Sequence, residues 1–336
     1  MTNLAKKRLE QAGIKSLGDL KRSGAVTAGL NPELLIKGSE EFDCLVNGWQ
    51  RGEVQVREGD SGSGKTETVL IDAKEILKNN PKSNFVFISL EMTDQKISER
   101  WFKMVGDDED LADRFFVISR YDQNGRSRNI SLKWIKAELY RYKEQLGDIA
   151  AWCLDHMHAV GDNDPSTLNS MMIMTKEMSV ETNSYGIVLA QVSKGAGQKG
   201  EVPLDADSIL GCSQAKYIAS EIIQIHRPIL RLEEEAKMSV MGWGYVKIRE
   251  PDENDPIKRG QNRLLIYDQK IRTLRKMTTE EYTRFKMFYN MLLEMKSAEE
   301  KSKAFTYDLQ KEIINKDGQK IIIKEKFSGS FADDDF

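Results

Sequence analysis

The stretch GDSGSGKT, Gly59–Thr66, constrains this chain more than any other. It satisfies the pattern GxxxxGK[ST]. It also lies between a strand-like run, EVQVREG over 53–59, and a helical pattern that starts at Thr66. A strand that turns through glycines into a helix aims backbone N–H groups and the positive helix end at a phosphate. The spacing therefore predicts that Gly59, Asp60, Ser61, Gly62, Ser63, Gly64, Lys65 and Thr66 cradle the phosphates of a nucleotide. Lys65 is expected at the β- and γ-phosphates, and the Thr66 hydroxyl at Mg²⁺. A glycine-rich turn without a ligand is the bland alternative, and the strand–loop–helix context weighs against it. Phosphate binding alone does not separate an ATPase from a GTPase, a kinase or a motor.

Downstream, apolar runs alternate with helical periodicity. Strands are predicted over 84–91, 115–119, 148–156, 185–191 and within 217–227. Helices are predicted over 66–78 (amphipathic), 93–105, 131–147 and 165–183. Thr93 or Asp94, and Ser131, read as N-caps, and Gly147 reads as a stop. The alternation predicts an α/β fold with a mainly parallel sheet flanked by helices. After Arg227, short runs over 242–250, 262–268 and 270–276 predict an antiparallel β extension. A charged helix over 278–303 and a hairpin over 312–327, turning at Asp317–Gly318, are expected next. The Met-rich stretch 171–178 reads as a core helix. The expected organisation is a helical arm over 1–35, a core over 36–277, a helix-plus-hairpin extension over 278–327 and a disordered acidic tail over 328–336.

The composition excludes several classes. No run of 18 apolar residues exists and the N-terminus lacks an apolar signal core, so no membrane role and a cytoplasmic location are expected. Cys44, Cys153 and Cys212 lie far apart, and the three histidines fall in no zinc-ligand spacing. A net charge of −3 announces no broadly basic surface, although a local basic lining on a neutral body stays open.

In an open parallel sheet, ligands bind beyond the carboxyl ends of the strands. The predicted strands end in Glu91, Asp155 and Gln191. An aspartate there suits Mg²⁺, and a glutamate one strand over suits a general base for the attacking water. A glutamine can hydrogen-bond the γ-phosphate and sense its loss. Each residue alone is an ordinary strand end; together, beside a phosphate loop, they read as a hydrolytic site. Lys247 and Arg249 share one face of a later strand, and a solvated face is the alternative. His156 and His158 read as polar surroundings of the nucleotide rather than a metal site.

The order GDSGSGKT, SLEM (89–92), CLDH (153–156), LAQ (189–191) and KIR (247–249) resembles the RecA-like ATPase core of the DnaB-type replicative helicases, over about residues 36–277. KGSEEFDCLVNGWQRGEV (37–54) and GCSQAKYIASEIIQIHRP (211–228) extend the likeness. The resemblance implies a RecA-like P-loop NTPase that uses ATP and Mg²⁺. It implies Lys65 and Thr66 on phosphate and metal, Glu91 as catalytic base, Asp155 as the metal carboxylate and Gln191 as sensor. Lys247 and Arg249 would reach into the neighbouring subunit's site. Single-stranded DNA as partner, a hexameric ring of identical subunits and DNA-stimulated ATP hydrolysis in replication are implied too, as in a minimal phage-encoded helicase.

The family's channel loops correspond here to about 159–168 and 193–210. Lys194 and Lys199 in the second would grip a single-strand backbone, with Ser208, Gly211 and Gln214 nearby; ordinary surface loops are the alternative. The tail SGSFADDDF resembles acidic tails that dock phage replication and single-strand-binding proteins on partners, which implies a polymerase, a primase or a single-strand-binding protein. A solubilising end is the alternative. The N-terminal arm resembles the linker helix that packs on a neighbouring subunit. The chain departs from the family at Arg57 and Glu58, where small or apolar residues are usual, and at the inserted PDENDPIKRGQ after KIR. Two other readings stay open: a recombinase filament of the same fold, and a KaiC-like regulator or loader that acts on proteins.

Overall fold

A computed structural model describes residues 35–36, 49–121, 125–128, 130–160, 164–192, 209, 212–248 and 262–316. The N-terminal arm up to residue 34, the loop bearing Lys194 and Lys199, Arg249, the PDENDPIKRGQ insertion and the acidic tail lie outside the described residues.

A short antiparallel ribbon, β1 (Leu35–Ile36) with β2 (Trp49–Gln50), precedes the main sheet. Five apolar runs are buried along nearly their whole length, the pattern of strands covered on both faces. They form β3 (Val54–Glu58), β4 (Asn84–Ser89), β6 (Ile149–Asp155), β7 (Tyr185–Ala190) and β8 (Glu221–His226). With the edge strand β5 (Phe115–Ser119) they run parallel in the order β5–β4–β6–β7–β3–β8. Beyond β8 the sheet continues antiparallel through β9 (Val240–Ile248), β10 (Asn262–Asp268) and β11 (Thr273–Lys276), nine strands among the described residues. The predicted parallel sheet with an antiparallel extension is therefore present; the strands over 115–119 and 262–268 keep their predicted bounds, and most other ends move by one to three residues.

Successive strand residues face opposite sides. Phe85, Phe87, Cys153, Ile187, Leu189, Ile223 and Ile225 pack on one face with α1 (Lys65–Asn79) and α2 (Asp94–Val105), near α3 (Glu109–Asp113). Val86, Ile88, Trp152, Leu154, Val188 and Ile222 pack on the other with α4 (Leu132–Leu146) and α5 (Pro165–Thr182). Met171, Met172 and Met178 of α5 are buried there, so the Met-rich stretch is core. The side chains of Thr93 and Ser131 accept from Lys96 N and Trp134 N as N-caps, and Gly147 ends α4 at φ +79°. Sequence reasoning missed the short helices α3, α6 (Ala215–Ile218) and α7 (Glu233–Ala236), the last two of which flank β8.

α1 carries the predicted amphipathic pattern with a broad dry side: Glu67 through Ala73 are all buried, because the sheet covers one side and α2 and the antiparallel extension approach the other, while Lys74, Glu75, Lys78 and Asn79 reach solvent. One expectation needs correction: α8 (Thr279–Lys316) takes in residues 312–316, predicted as the first arm of a hairpin. No glycine or proline interrupts Thr279–Lys316, so nothing local stops the helix; the remainder of the predicted hairpin lies outside the described residues. This helix belongs to a second compact unit, 279–336, distinct from 1–278.

Arg57, out of place in the family pattern, is fully buried on β3. Its guanidinium pairs with Asp72 of α1, donates to Thr68 Oγ1 at 3.0 Å and to Gln55 Oε1 at 2.6 Å, and lies 5.7 Å from the Trp49 ring. Gln55 Nε2 donates to Glu221 Oε2 at 2.6 Å, on the neighbouring strand β8. Burial pushes the Glu221 carboxyl up to about 7, against these hydrogen bonds. The arginine thus ties α1 to the strand that precedes the phosphate loop, and so fixes where Lys65 and Thr66 stand.

Candidate nucleotide site

The chain leaves β3 at Glu58 and enters α1 at Lys65. Two glycines between them have no room for a side chain. A Cβ at Gly59 would lie 2.3 Å from the Ile225 carbonyl oxygen and 2.7 Å from Ser63 Oγ. Gly64 caps α1 at φ +99°, in the left-handed region, and a Cβ there would meet Met241 Cε at 2.4 Å. The loop is thereby held tight against β8 and β9. Lys65 Nζ folds over it and donates to the carbonyls of Gly59 at 2.7 Å and Asp60 at 2.8 Å. Burial lowers the Lys65 pKa, and Asp155, Asp60 and Glu91 act against that fall.

Thr66 Oγ1 donates to Asp155 Oδ2 at 2.8 Å, across from the end of β6. Asp155 is 2% exposed, and desolvation pushes its carboxyl up to about 6 although the Thr66 hydrogen bond opposes the rise. A buried carboxylate met by a hydroxyl is short of positive charge. Such hard oxygen donors suit Mg²⁺. Among the described residues no group of three or more His, Cys, Asp or Glu could enclose a metal. The ion would therefore take its other ligands from water and phosphate, as Mg²⁺ commonly does.

Glu91 follows β4 and is open to solvent, its side chain 60% exposed. His156 Nε2 lies 3.5 Å from Glu91 Oε2 and 3.2 Å from Gln191 Nε2. The Gln191 backbone N–H donates to His158 Nδ1 at 3.3 Å. Burial holds the His156 pKa down, with Glu91 acting against it, so the ring is neutral near pH 7. The two histidines, expected only as polar surroundings, thus bridge the ends of β4, β6 and β7.

One cavity of about 430 Å³ gathers Ser61, Gly62, Gly64, Lys65, Thr66, Glu91, Asp155 and Gln191. These residues come from the loop and from the ends of β4, β6 and β7, as strand-end reasoning anticipated. Gly59, Asp60 and Ser63 shape the loop behind them. Sequence reasoning missed another part of the lining: Glu67, Arg100, Tyr267 and Arg272. Their partners lie 33 to 205 residues apart, and no local pattern announces them.

Lys247 does not line this cavity. Its Nζ donates to the carbonyls of Lys216 and Ala219, both at 2.5 Å, at the end of α6. Lys247 stands opposite Ile222, and Ile248 opposite Glu221, whereas the phosphate loop follows Glu58, level with Gln224. β9 therefore runs away from the phosphate loop of its own chain. Gln214 N–H donates to Asn169 Oδ1 at 3.0 Å, at the start of α6. Lys194, Lys199, Ser208, Gly211 and Arg249 fall outside the described residues.

No protein-family model matches the sequence, and no curated protein does. Solved structures do match. One is of a DnaB-like replicative helicase and its interactions with primase, at 15% identity and TM-score 0.59, over 82% of this chain and 72% of that one. Another is the ATPase domain of a second protein, at 16% identity and TM-score 0.59, over 80% of this chain and 99% of that one. The strand order, the phosphate loop and these two likenesses together give this chain the fold of a DnaB-type helicase core, a RecA-like P-loop NTPase.

Proposed function

We propose that this chain is the ATP-hydrolysing subunit of a ring-shaped replicative helicase that translocates on single-stranded DNA. The observation that carries the reading is one of direction. Lys65, Thr66, Glu91, Asp155 and Gln191 converge on one cavity, while the strand that carries Lys247 and leads to Arg249 runs away from it. In this reading Lys247 and Arg249 serve a second copy's site rather than that of their own chain, and head-to-tail contacts that close make rings.

In this reading Lys65 releases its two carbonyls for the phosphates, and the loop's N–H groups hold the same oxygens. Thr66 and Asp155 would hold Mg²⁺, which screens phosphate charge and fixes the phosphate orientation. Glu91 takes the proton of the attacking water. His156 keeps Glu91 and Gln191 in register, and Gln191 reports loss of the γ-phosphate. Lys247 and Arg249 stabilise the charge that develops in the neighbouring site. Lys194 and Lys199 grip the DNA backbone without reading sequence. The acidic tail docks a replication partner; the primase of the first matched structure sets the kind of partner to try first. No helix among the described residues is long and apolar enough to cross a membrane, and a cytoplasmic site, in bacteria or phage-infected cells, is part of the proposal.

The test is to mix two inactive variants, Lys65→Ala and Arg249→Ala. In mixed rings about a quarter of interfaces join an intact loop to an intact finger. Hydrolysis is expected to reappear on mixing; if Arg249 acts within its own subunit, mixing restores nothing. Unwinding of a forked duplex by wild type separates a helicase from a recombinase filament. Hydrolysis indifferent to DNA points instead to an ATPase that acts on protein partners.

A further inference from the structure

Glu67 directly follows the phosphate loop, in the first turn of α1. An acid there ordinarily complements the helix dipole and points outward. This one is buried, its side chain 11% exposed, and three other elements converge on it. Oε1 accepts from Arg100 Nη1 of α2 at 2.9 Å and from Arg272 Nη1 of the β10–β11 turn at 2.5 Å. Oε2 accepts from the Tyr267 hydroxyl of β10 at 3.0 Å. One carboxylate thus carries two guanidinium groups, and both line the cavity that holds Lys65 and Thr66. The trio keeps a net charge of +1 toward the space a triphosphate would fill.

The arrangement is asymmetric. Each arginine gives Glu67 a single Nη1 contact rather than the two-pronged contact a carboxylate can accept. Arg272 Nε is buried with no hydrogen-bond partner. Arg272 also sits at φ +48°, a left-handed conformation that costs an L residue on the order of 1 kcal/mol. Asp268 Oδ1 accepts from Lys270 N at 2.9 Å and shapes the same turn. The turn is therefore built to deliver one arginine to one carboxylate. Helix-dipole compensation needs none of this.

We infer that Glu67 is a positioning residue: it holds Arg100 and Arg272, from two different elements, as a pair of cationic arms for the nucleotide's polyphosphate. The antiparallel extension thereby becomes part of the nucleotide site, since Tyr267 and Arg272 both belong to it. The inference rests on the nucleotide-hydrolase reading above. Glu67 acts only through the arginines, so its removal should matter only while they are present.

The experiment is a double-mutant cycle on binding, read by fluorescence anisotropy of a labelled non-hydrolysable ATP analogue with Mg²⁺. Glu67→Gln, which keeps the shape and removes the charge, is expected to weaken binding about tenfold, and Arg272→Ala by a similar factor. The double variant should be weakened clearly less than about a hundredfold, because the two lesions remove parts of one device. Tyr267→Phe, a milder lesion of the same cluster, is expected to weaken binding about threefold and serves if Glu67→Gln does not fold. Independent, multiplying effects, or tighter binding by Glu67→Gln through loss of a repelling charge, overturn the inference. Lys65→Ala is the control: if wild type binds no analogue, or Lys65→Ala binds as wild type does, the nucleotide reading itself fails and takes this one with it.

Discussion

Two polar clusters flank the first turns of α1, and they are built on opposite principles. On β3, Arg57 meets Asp72, Thr68 and Gln55, and Gln55 meets Glu221, with Arg57 and Asp72 fully buried. At the strand ends, Lys65 has only carbonyls, Asp155 only a hydroxyl, and Glu91 lies open beside a neutral histidine. The first cluster pairs its charges inside the protein and leaves little for a ligand. The second leaves charge facing a cavity. Buried charge is thus a sign of function only where it opens on space; sealed, it is a joint between elements.

The sharpest contrast is expected from Lys65→Ala and Asp155→Asn. Each should cut ATP turnover about a thousandfold while the melting temperature stays within a few degrees of wild type, because neither group forms an ion pair within 4 Å among the described residues. A large loss of stability in either would merge the two clusters. Arg57→Ala should do the reverse. It strands Asp72 in the core and should cost about 3–5 kcal/mol in urea unfolding. Arg57→Met with Asp72→Leu should recover most of that, and a stable single variant would show that the pair is no joint.

Glu221 gives a smaller effect with a definite sign. Its folded pKa of about 7 lies above its ordinary 4.5, so the folded chain holds a proton that the unfolded chain releases. Its contribution is full below pH 4.5 and is lost as pH rises through 7. Glu221→Gln should flatten the fall in stability between pH 5 and pH 8 by on the order of 2 kcal/mol. An unchanged pH profile contradicts a protonated Glu221. Smallest, His156→Ala should lower turnover about tenfold with nucleotide affinity unchanged, since it touches Glu91 and Gln191 but no loop residue; equal losses in affinity would place it against the nucleotide.

Much of the fold was legible because it is written in local periodicity. The runs at 84–89, 149–155 and 185–190 are too apolar to be anything but buried strands, and the polar residue after each stands at the cavity. Pairings across the chain were not legible. Arg57 reads as an anomaly until Asp72 on α1 is seen beside it, and Glu67 reads as a dipole complement until Arg272 arrives from 205 residues away. The same holds for the polar residues early in α1: Glu67 and Asp72 are buried only because α2, β10 and β3 bring them partners. At 312–316 the alternation of isoleucines with charges suits a strand, yet a helix already running has no local reason to stop.

The most direct measurement is the rate of ATP hydrolysis by the wild-type chain as single-stranded DNA is added, with Lys65→Ala alongside. Severalfold stimulation that saturates with DNA, absent in Lys65→Ala, is expected of a motor whose strand-end cluster does the chemistry. Hydrolysis that depends on Lys65 but ignores DNA would keep the site and contradict the motor.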